Sequence, residues 1–202
     1  MVEQGTQEWL DEKLGVISGT RAAAVMGTKI ARRTLLAELV RELMTSDRKS
    51  FKANAAMKHG LAIEPEAASY YGMIHGVTVT DQSAYIESDI HPMFAASPDG
   101  LIDEDGGYEG KRLDEENHLK ILLGADPDKK YIAQCNWNMF ITGRQWWDLH
   151  FYCETLPESM KSHVIRIDRD EGMMEALYEA ATSLLEELIA FLNQHGLGGL
   201  LA

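Results

Sequence analysis

A short motif in the middle of the chain constrains the fold more than any other feature. A turn into a strand is predicted by the run SPDGL at residues 97–101, and a second strand by EGK at residues 109–111. Side chains alternate across a strand, so Glu109 and Lys111 point to the same face, and Asp99 can meet them from the neighbouring strand. The sequence therefore predicts a sheet on which two carboxylates and one ammonium group converge.

Such a patch suits a divalent cation. Mg²⁺ and Mn²⁺ are hard ions that prefer oxygen ligands, and a lysine beside them could orient an attacking water or stabilise charge on a phosphate. The spacing alone leaves another interpretation open. Asp-Gly is common in turns, and Glu-x-Lys in a strand often forms a solvated face or a cross-strand ion pair.

Length and composition favour one domain in a reducing compartment. The 202 residues fit a single domain over residues 1–202. Cys135 and Cys153 show neither metal-ligand spacing nor a disulfide framework, which suits the cytosol. The polar, acidic start is unlike a signal peptide, and no apolar run reaches membrane-spanning length. We therefore expect a cytoplasmic protein without a membrane partner.

The net charge of −13 argues against a general nucleic-acid binder, which is usually basic. It leaves room for an enzyme that concentrates its cations in a groove and neutralises phosphate with metal ions. The positive residues are unevenly distributed, and the alternative to a groove, favoured for most of those in one early stretch, is helix faces and loops that keep the protein soluble: Lys29, Arg32, Arg33, Arg41, Arg48, Lys49, Lys52 and Lys58.

The first third of the chain has the pattern of helices. Apolar spacing predicts a helix over Thr6 to Leu14, a second capped by Ser18 or Thr20, and a third capped by Thr34. A polar loop is predicted at 45–52, and then a helix over 53–74 that is interrupted or restarted near Pro65.

The period then changes to that of strands, which are predicted at 77–80, 84–87, 94–103 and 108–113. A short apolar turn is predicted at 119–123, followed by a helix that Asp126 caps and that ends near residue 142. Two further strands, at 146–152 and 162–167, precede a long helix over 171–193 and a frayed or lightly packed tail. This order fits an α/β (α+β mixed) fold with a central mixed sheet flanked by helices.

Five segments in this order resemble one family. It is the phage lambda exonuclease type, also called the YqaJ-like recombinase nucleases, which has a restriction-endonuclease-like core. The matching segments are an opening run with Gln4-Gly5, Trp9 and residues 14–18, the helix with Glu64, the turn 97–101, the strand 109–111, and a helix with residues 131–134, Met139 and Thr142.

The resemblance implies a function for this single nuclease domain. Members of the family degrade one strand of linear double-stranded DNA from the 5′ end, processively, to mononucleotides, and leave a 3′ single strand for recombination. They use Mg²⁺, for which Mn²⁺ is a possible substitute. They form a trimeric ring around DNA and commonly work with a single-strand annealing protein. No residue pattern in this chain by itself predicts the trimer.

The resemblance also implies roles at a site with two metal ions. Asp99 would bridge the two ions or hold one centrally, and Glu109 would hold the ion that activates the attacking water. The backbone carbonyl of Gly110 would add a ligand, and Glu64 would contribute to the second ion. Lys111 would contact the water or the scissile phosphate.

The helix near residue 134 would add an amide. Gln134 would position the water or Lys111, and the alternative is an ordinary buried amide satisfied by backbone. The family often carries a second glutamine two residues later, where this chain has Asn136. A two-residue step on a helix points elsewhere, so Asn136 receives no role.

A basic pocket for the 5′-phosphate is implied near the start of the chain. Lys13 matches the family's arginine and Thr20 its hydroxyl residue, while Ser97 would add another hydroxyl. Lysine supplies a point charge where arginine grips phosphate with a planar fork, and the adjacent Arg21 could compensate. Trp9 could stack on a terminal base, or else anchor its helix in the core.

Two other functions remain open. An endonuclease or repair nickase would keep the same fold and metals. A scaffold that encircles DNA or binds a partner would have lost catalysis, and the intact Asp99, Glu109 and Lys111 speak against it.

Overall fold

The computed structural model describes residues 13–45, 55–81 and 84–201. The helices are α1 (Gly19–Val25), α2 (Lys29–Thr45), α3 (Ala55–His75), α4 (Glu115–Leu122), α5 (Lys129–Thr142) and α6 (Glu171–Gln194), followed by a 3₁₀ turn at Gly198–Leu201. The strands are β1 (Val79–Thr80), β2 (Ile86–Glu87), β3 (Ala95–Ala96), β4 (Gly100–Ile102), β5 (Gly106–Arg112), β6 (Trp146–Tyr152) and β7 (Ser162–Asp168).

Five of these strands form one mixed sheet. Their order is β1-β4-β5-β6-β7, and β5 and β6 are parallel whereas the other neighbours are antiparallel. Strands β2 and β3 form a separate antiparallel pair. The parallel pair is joined through α4 and α5, as a crossover between parallel strands requires. The predicted mixed sheet with flanking helices is confirmed.

The two faces of the sheet pack against different helices. On one face, Leu149 and Phe151 of β6 pack with Cys135 and Met139 of α5. On the other face, Tyr71 of α3 packs with residues of β4 and β5. A further cluster joins α1, α2, α5 and α6 behind the first face. Strand β5 thus lies in the middle of the sheet, with α5 above one face and α3 above the other.

Helix predictions were wrong at several boundaries. Helix α2 begins at Lys29, and Thr34 lies inside it, where its hydroxyl donates to the Ile30 carbonyl rather than capping the helix. The apolar turn predicted at 119–123 belongs to α4, since Asp114 accepts from the Asn117 amide and caps that helix. Helix α5 is capped by Asp128 and not by Asp126.

Other segments also differ from their predictions. Helix α3 continues through Pro65 without restarting. The strand predicted over 94–103 is divided into β3 and β4 by residues 97–99. Most of the helix predicted over Thr6 to Leu14 lies outside the described residues, and residues 13–15 form a turn. In the part of the chain that is described, no helix combines the length and apolar character needed to cross a membrane.

Candidate active site

Strand β5 carries the central acid and base of the site. Glu109 pairs with Leu149 and Lys111 with Phe151 in the parallel register, so both side chains face α5. The Lys111 ammonium donates to Oε1 of Glu109 over 2.5 Å and lies 5.3 Å from the centre of the Tyr131 ring. Glu109 is 1% exposed, whereas the Lys111 side chain is 19% exposed. The carboxylate is therefore buried beside a lysine whose side chain is partly exposed.

Asp99 is fixed to the same strand by a backbone hydrogen bond. It lies in the turn between β3 and β4, and its Oδ2 accepts from the Gly110 amide over 2.9 Å. Its charge is close enough to Glu109 to raise the pKa of that carboxyl. The turn and the strand thus bring together the two carboxylates and the ammonium, as the side-chain alternation predicts.

Helix α5 contributes two amides to the site. Gln134 donates from Nε2 to Oε1 of Glu109 over 2.6 Å, and Asn138 donates from Nδ2 to Oε2 over 3.3 Å. Gln134 therefore binds a site side chain rather than backbone. Asn138 was not predicted, although its position four residues after Gln134 puts it on the same helix face. Asn136 donates to the Ile132 carbonyl, away from the site.

Burial and like charge dominate the electrostatics. Burial and then the neighbouring Asp99 raise the pKa of Glu109 to about 8, against the opposing effect of Lys111. Burial alone would lower the pKa of Lys111, but the charges of Glu109 and Asp99 outweigh it and hold that pKa above its usual range. Lys111 is therefore an ammonium at neutral pH, and ionisation of both carboxyl groups would place more negative charge beside it than it balances.

This donor set fits a divalent cation. Two carboxylates that repel one another in a buried position are stabilised by a cation, and carboxylate and backbone carbonyl oxygens are ligands for Mg²⁺. Within residues 13–45, 55–81 and 84–201, no group of three or more His, Cys, Asp or Glu is arranged around one point. Asp99, Glu109 and the Gly110 carbonyl would therefore hold an ion together with water or DNA oxygens.

Glu64 lies on the helix that packs against the other face of the sheet. It lies on α3, which packs against β5, and its charge is one of those that raise the pKa of Tyr108, after burial and the charges of Asp99 and Glu109. Its role as a ligand of a second ion stays a prediction.

Gly110 makes room for a tyrosine on the α3 face. A Cβ at Gly110 would lie 3.1 Å from the Tyr108 hydroxyl. That hydroxyl is hydrogen bonded to Nδ1 of His150 over 2.9 Å, and Nε2 of His150 to the Ser162 hydroxyl over 2.9 Å. Because Gly110 has no side chain, it leaves room for these buried, hydrogen-bonded side chains on the α3 side of β5.

The predicted phosphate pocket lies near the start of α1. Lys13 is buried, and Thr20 is exposed at the first turn of α1 with its hydroxyl 3.2 Å from that of Ser18. The hydroxyl of Ser97 is buried and, among the described atoms, has no hydrogen-bond partner. Trp9 lies outside the described residues.

Arg21 is held inside the protein. Its guanidinium donates to Glu42 over 2.5 Å and to the Val16 carbonyl over 2.6 Å, and Glu42 also accepts from the Gly15 amide over 3.0 Å. Arg21 therefore anchors the turn that carries Lys13, and its contribution to phosphate binding stays a prediction.

The comparisons with known proteins decide the family. The model of the YqaJ-like viral recombinase domain matches residues 8–145, which include Asp99, Glu109, Lys111 and Gln134. The chain belongs to the YqaJ-like viral recombinase family. The family resemblance predicted from the motifs is confirmed. No match was found among curated proteins.

Solved structures extend the family match to nearly the whole chain. The alkaline exonuclease LHK-Exo from Laribacter hongkongensis is 32% identical, with a TM-score of 0.89 over 95% of this chain and 96% of that one. The same enzyme in complex with dAMP gives 32% identity and a TM-score of 0.87 over 94% and 95%. A phage-related exonuclease from Haemophilus somnus 129PT shares the fold, with 13% identity and a TM-score of 0.75 over 89% and 96%. This YqaJ-like chain is thus supported as a nuclease that acts on DNA.

Proposed function

We propose that this protein is a Mg²⁺-dependent 5′→3′ exonuclease that degrades one strand of linear double-stranded DNA processively to mononucleotides. The observation that carries the proposal is the buried Glu109 carboxylate, which contacts Lys111 and two helix amides and lies beside Asp99. The complex of LHK-Exo with dAMP supports a mononucleotide product. The remaining 3′ single strand would serve recombination by strand annealing.

The residues of the site have different roles in phosphodiester hydrolysis. Asp99, Glu109, the Gly110 carbonyl and Glu64 would hold two divalent ions, which supply charge neutralisation at the phosphate and lower the pKa of water. The Lys111 ammonium would stabilise negative charge that develops on the scissile phosphate, because it is protonated and lies beside Glu109 on a side chain that is partly exposed.

The helix amide and the turn keep the acids in place. Gln134 orients Glu109 through a 2.6 Å bond, and the Gly110 amide orients Asp99 through a 2.9 Å bond. Groups that are already oriented cost no reorganisation when the substrate reacts. The proposed site is therefore preorganised by backbone and helix contacts before DNA binds.

The choice of the 5′ end is assigned to the pocket near α1. Lys13, Thr20 and Ser97 would bind the terminal phosphate, with Arg21 supporting their turn and Trp9 stacking on the terminal base. The buried hydroxyl of Ser97, which has no hydrogen-bond partner among the residues described, supports this assignment, since such a donor is costly unless a ligand accepts its hydrogen bond. A trimeric ring, an annealing partner and a cytoplasmic location complete the proposal.

The test is a digestion time course with Mg²⁺ on a linear duplex whose strands carry different labels. We expect mononucleotides to be released faster from a 5′-phosphorylated strand than from an unphosphorylated one, a remaining 3′ single strand, and no cutting of closed circular DNA. Cutting of circles would favour the endonuclease or nickase. Absence of both digestion and metal binding would favour the inactive scaffold.

The end chemistry tests the pocket separately. Lys13→Ala should slow digestion mainly on phosphorylated ends, because only these present the charge that Lys13 would bind. The same duplex without 5′-phosphate is the control. An equal loss on both substrates would show that Lys13 does not bind the terminal phosphate.

A further inference from the structure

Helix α5 holds both oxygens of one carboxylate. Gln134 and Asn138 lie one helical turn apart, and each donates a side-chain N–H to a different oxygen of Glu109. We propose that Asn138 is a positioning residue, which fixes the plane of the Glu109 carboxylate so that it can bind a divalent cation. The inference rests on the proposed function, because it gives Asn138 a task at that site.

The contacts of Glu109 show what Asn138 adds. Oε1 receives both Lys111 at 2.5 Å and Gln134 at 2.6 Å, whereas Oε2 receives Asn138 at 3.3 Å. The terminal torsion of glutamate is broad, so contacts to one oxygen leave the carboxylate free to rotate. A donor on the second oxygen defines the plane. At 3.3 Å this bond is long for N–H···O, which suits orientation rather than neutralisation and leaves Oε2 able to contact a cation.

Asn138 is a buried polar side chain of which, among the described residues, only the N–H end is hydrogen bonded. The residue is 0% exposed, between the core residues Trp137 and Met139. Its Oδ1 is buried and, within the part of the chain that is described, accepts no hydrogen bond. An unsatisfied buried oxygen destabilises the fold, so an apolar side chain of similar volume would pack at lower cost. Oδ1 of Asn136 is likewise unpaired among the described atoms, so what distinguishes Asn138 is that its N–H donates to Glu109.

The start of α1 holds Asn138 in this orientation. A Cβ at Gly19 would lie 2.6 Å from Oδ1 of Asn138 and 3.1 Å from Cγ of Gln134. Because Gly19 has no side chain, the backbone of α1 packs directly against the side chains of Asn138 and Gln134. Because Thr20 follows Gly19, the positioning amides lie beside the segment to which we assign the terminal phosphate.

The chain supplies a matched control for this inference. Asn136 is also buried, on the same helix, but it donates to the Ile132 carbonyl instead of Glu109. Asn138→Ala removes both the donor and side-chain volume. Asn138→Leu removes the donor without loss of volume. Asn136→Ala and Asn136→Leu make the same changes where no site residue is touched. Thermal unfolding without metal measures the structural cost of each variant.

The decisive readout is Mn²⁺ binding to the DNA-free protein, followed by electron paramagnetic resonance. We expect both Asn138 variants to bind Mn²⁺ about 10-fold more weakly than wild type, the lower end of the effects known for residues that orient metal ligands. The Mg²⁺ concentration for half-maximal digestion should rise in parallel, while the KM for DNA stays unchanged. The Asn136 variants should bind Mn²⁺ like wild type.

The possible outcomes separate the two proposals. Wild-type affinity in both Asn138 variants, or equal losses in the Asn136 and Asn138 variants, would overturn the role of Asn138. Wild-type protein that binds Mn²⁺ but digests no DNA would overturn the proposed function and leave the binding comparison valid. If a variant at 138 does not fold, Asn138→Ser takes its place, with Asn136→Ser as its control.

Discussion

Gln134 on α5 donates to Oε1 of Glu109 on β5 over 2.6 Å, so that a helix and a strand fix one carboxylate between them. The Lys111 ammonium shares the same oxygen. This contact joins segments that are 25 residues apart. It makes the geometry of the acid depend on how α5 packs over the sheet.

Gln134→Ala should lower kcat on linear duplex DNA about 10- to 100-fold, the usual cost of losing a residue that orients a metal ligand. The KM for DNA should change little, because the amide contacts Glu109 and is buried from solvent. Steady-state kinetics on a labelled duplex measure both constants. Gln145→Ala is the control, since Gln145 donates to the Gly143 carbonyl at the far end of the helix. A loss confined to KM would contradict the positioning role.

Lys111→Met should lower kcat about 100- to 1,000-fold, as removal of a group that stabilises transition-state charge does. The variant also leaves the buried Glu109 next to Asp99 without its ammonium, so the metal-free protein should unfold at a lower temperature at pH 8. Added Mg²⁺ should restore part of that loss. Lys120→Met, on the exposed face of α4, should change neither kcat nor the unfolding temperature. Full activity in the Lys111 variant would show that the lysine does not contribute to catalysis.

Metal binding at pH 7 should release about one proton, because the pKa of Glu109 is raised to about 8 and the ion requires the ionised carboxylate. Titration calorimetry in two buffers of different ionisation enthalpy measures this number. Metal affinity should accordingly rise with pH up to about 8. Binding without proton release would show that Glu109 is already ionised in the free protein.

The same pKa predicts how the metal-free fold responds to pH. The folded value of about 8 exceeds the ordinary value of 4.5, so folding favours the protonated carboxyl. The stabilising contribution of Glu109 is thus fully present below pH 4.5 and is lost as the pH rises through 8. Thermal unfolding of wild type and Glu109→Gln, compared across this range, isolates the contribution. It should be absent from the Gln variant.

Gly19→Ala should reduce digestion although residue 19 contacts no reacting group. The new methyl would lie 2.6 Å from Oδ1 of Asn138 and 3.1 Å from Cγ of Gln134, and would push both side chains away from Glu109. Gly172→Ala is a suitable control, since its methyl would meet only Asp170 at an ordinary 3.4 Å. Both should be assayed for Mn²⁺ binding and for unfolding temperature. Normal Mn²⁺ binding in the Gly19 variant would show that α1 can shift without disturbing the amides.

Local patterns predicted the parts of the site that lie close together in sequence. Strand alternation places Glu109 and Lys111 on one face, and the turn at 97–101 brings Asp99 to the neighbouring position. The order of helices and strands predicted the mixed sheet. These features depend on periodicity and turn chemistry, which a sequence displays directly.

The missed features depend on contacts between distant segments. Asn138 is recognisable only when α5 is known to lie over β5, and the need for Gly110 only when Tyr108 is known to turn towards His150. The boundary errors have local causes. Thr34 offers a cap, yet its hydroxyl bonds within the preceding helical turn, and Asp114 caps a helix whose short apolar pattern resembles a turn.

The central claim is that Asp99 and Glu109 together bind a divalent cation at the site of phosphodiester hydrolysis. Anomalous diffraction from a crystal soaked in Mn²⁺ tests it directly. The account predicts an anomalous peak within coordination distance of both carboxylates and the Gly110 carbonyl. A soaked crystal with no peak there, and with the two carboxylates turned away from each other, would contradict it.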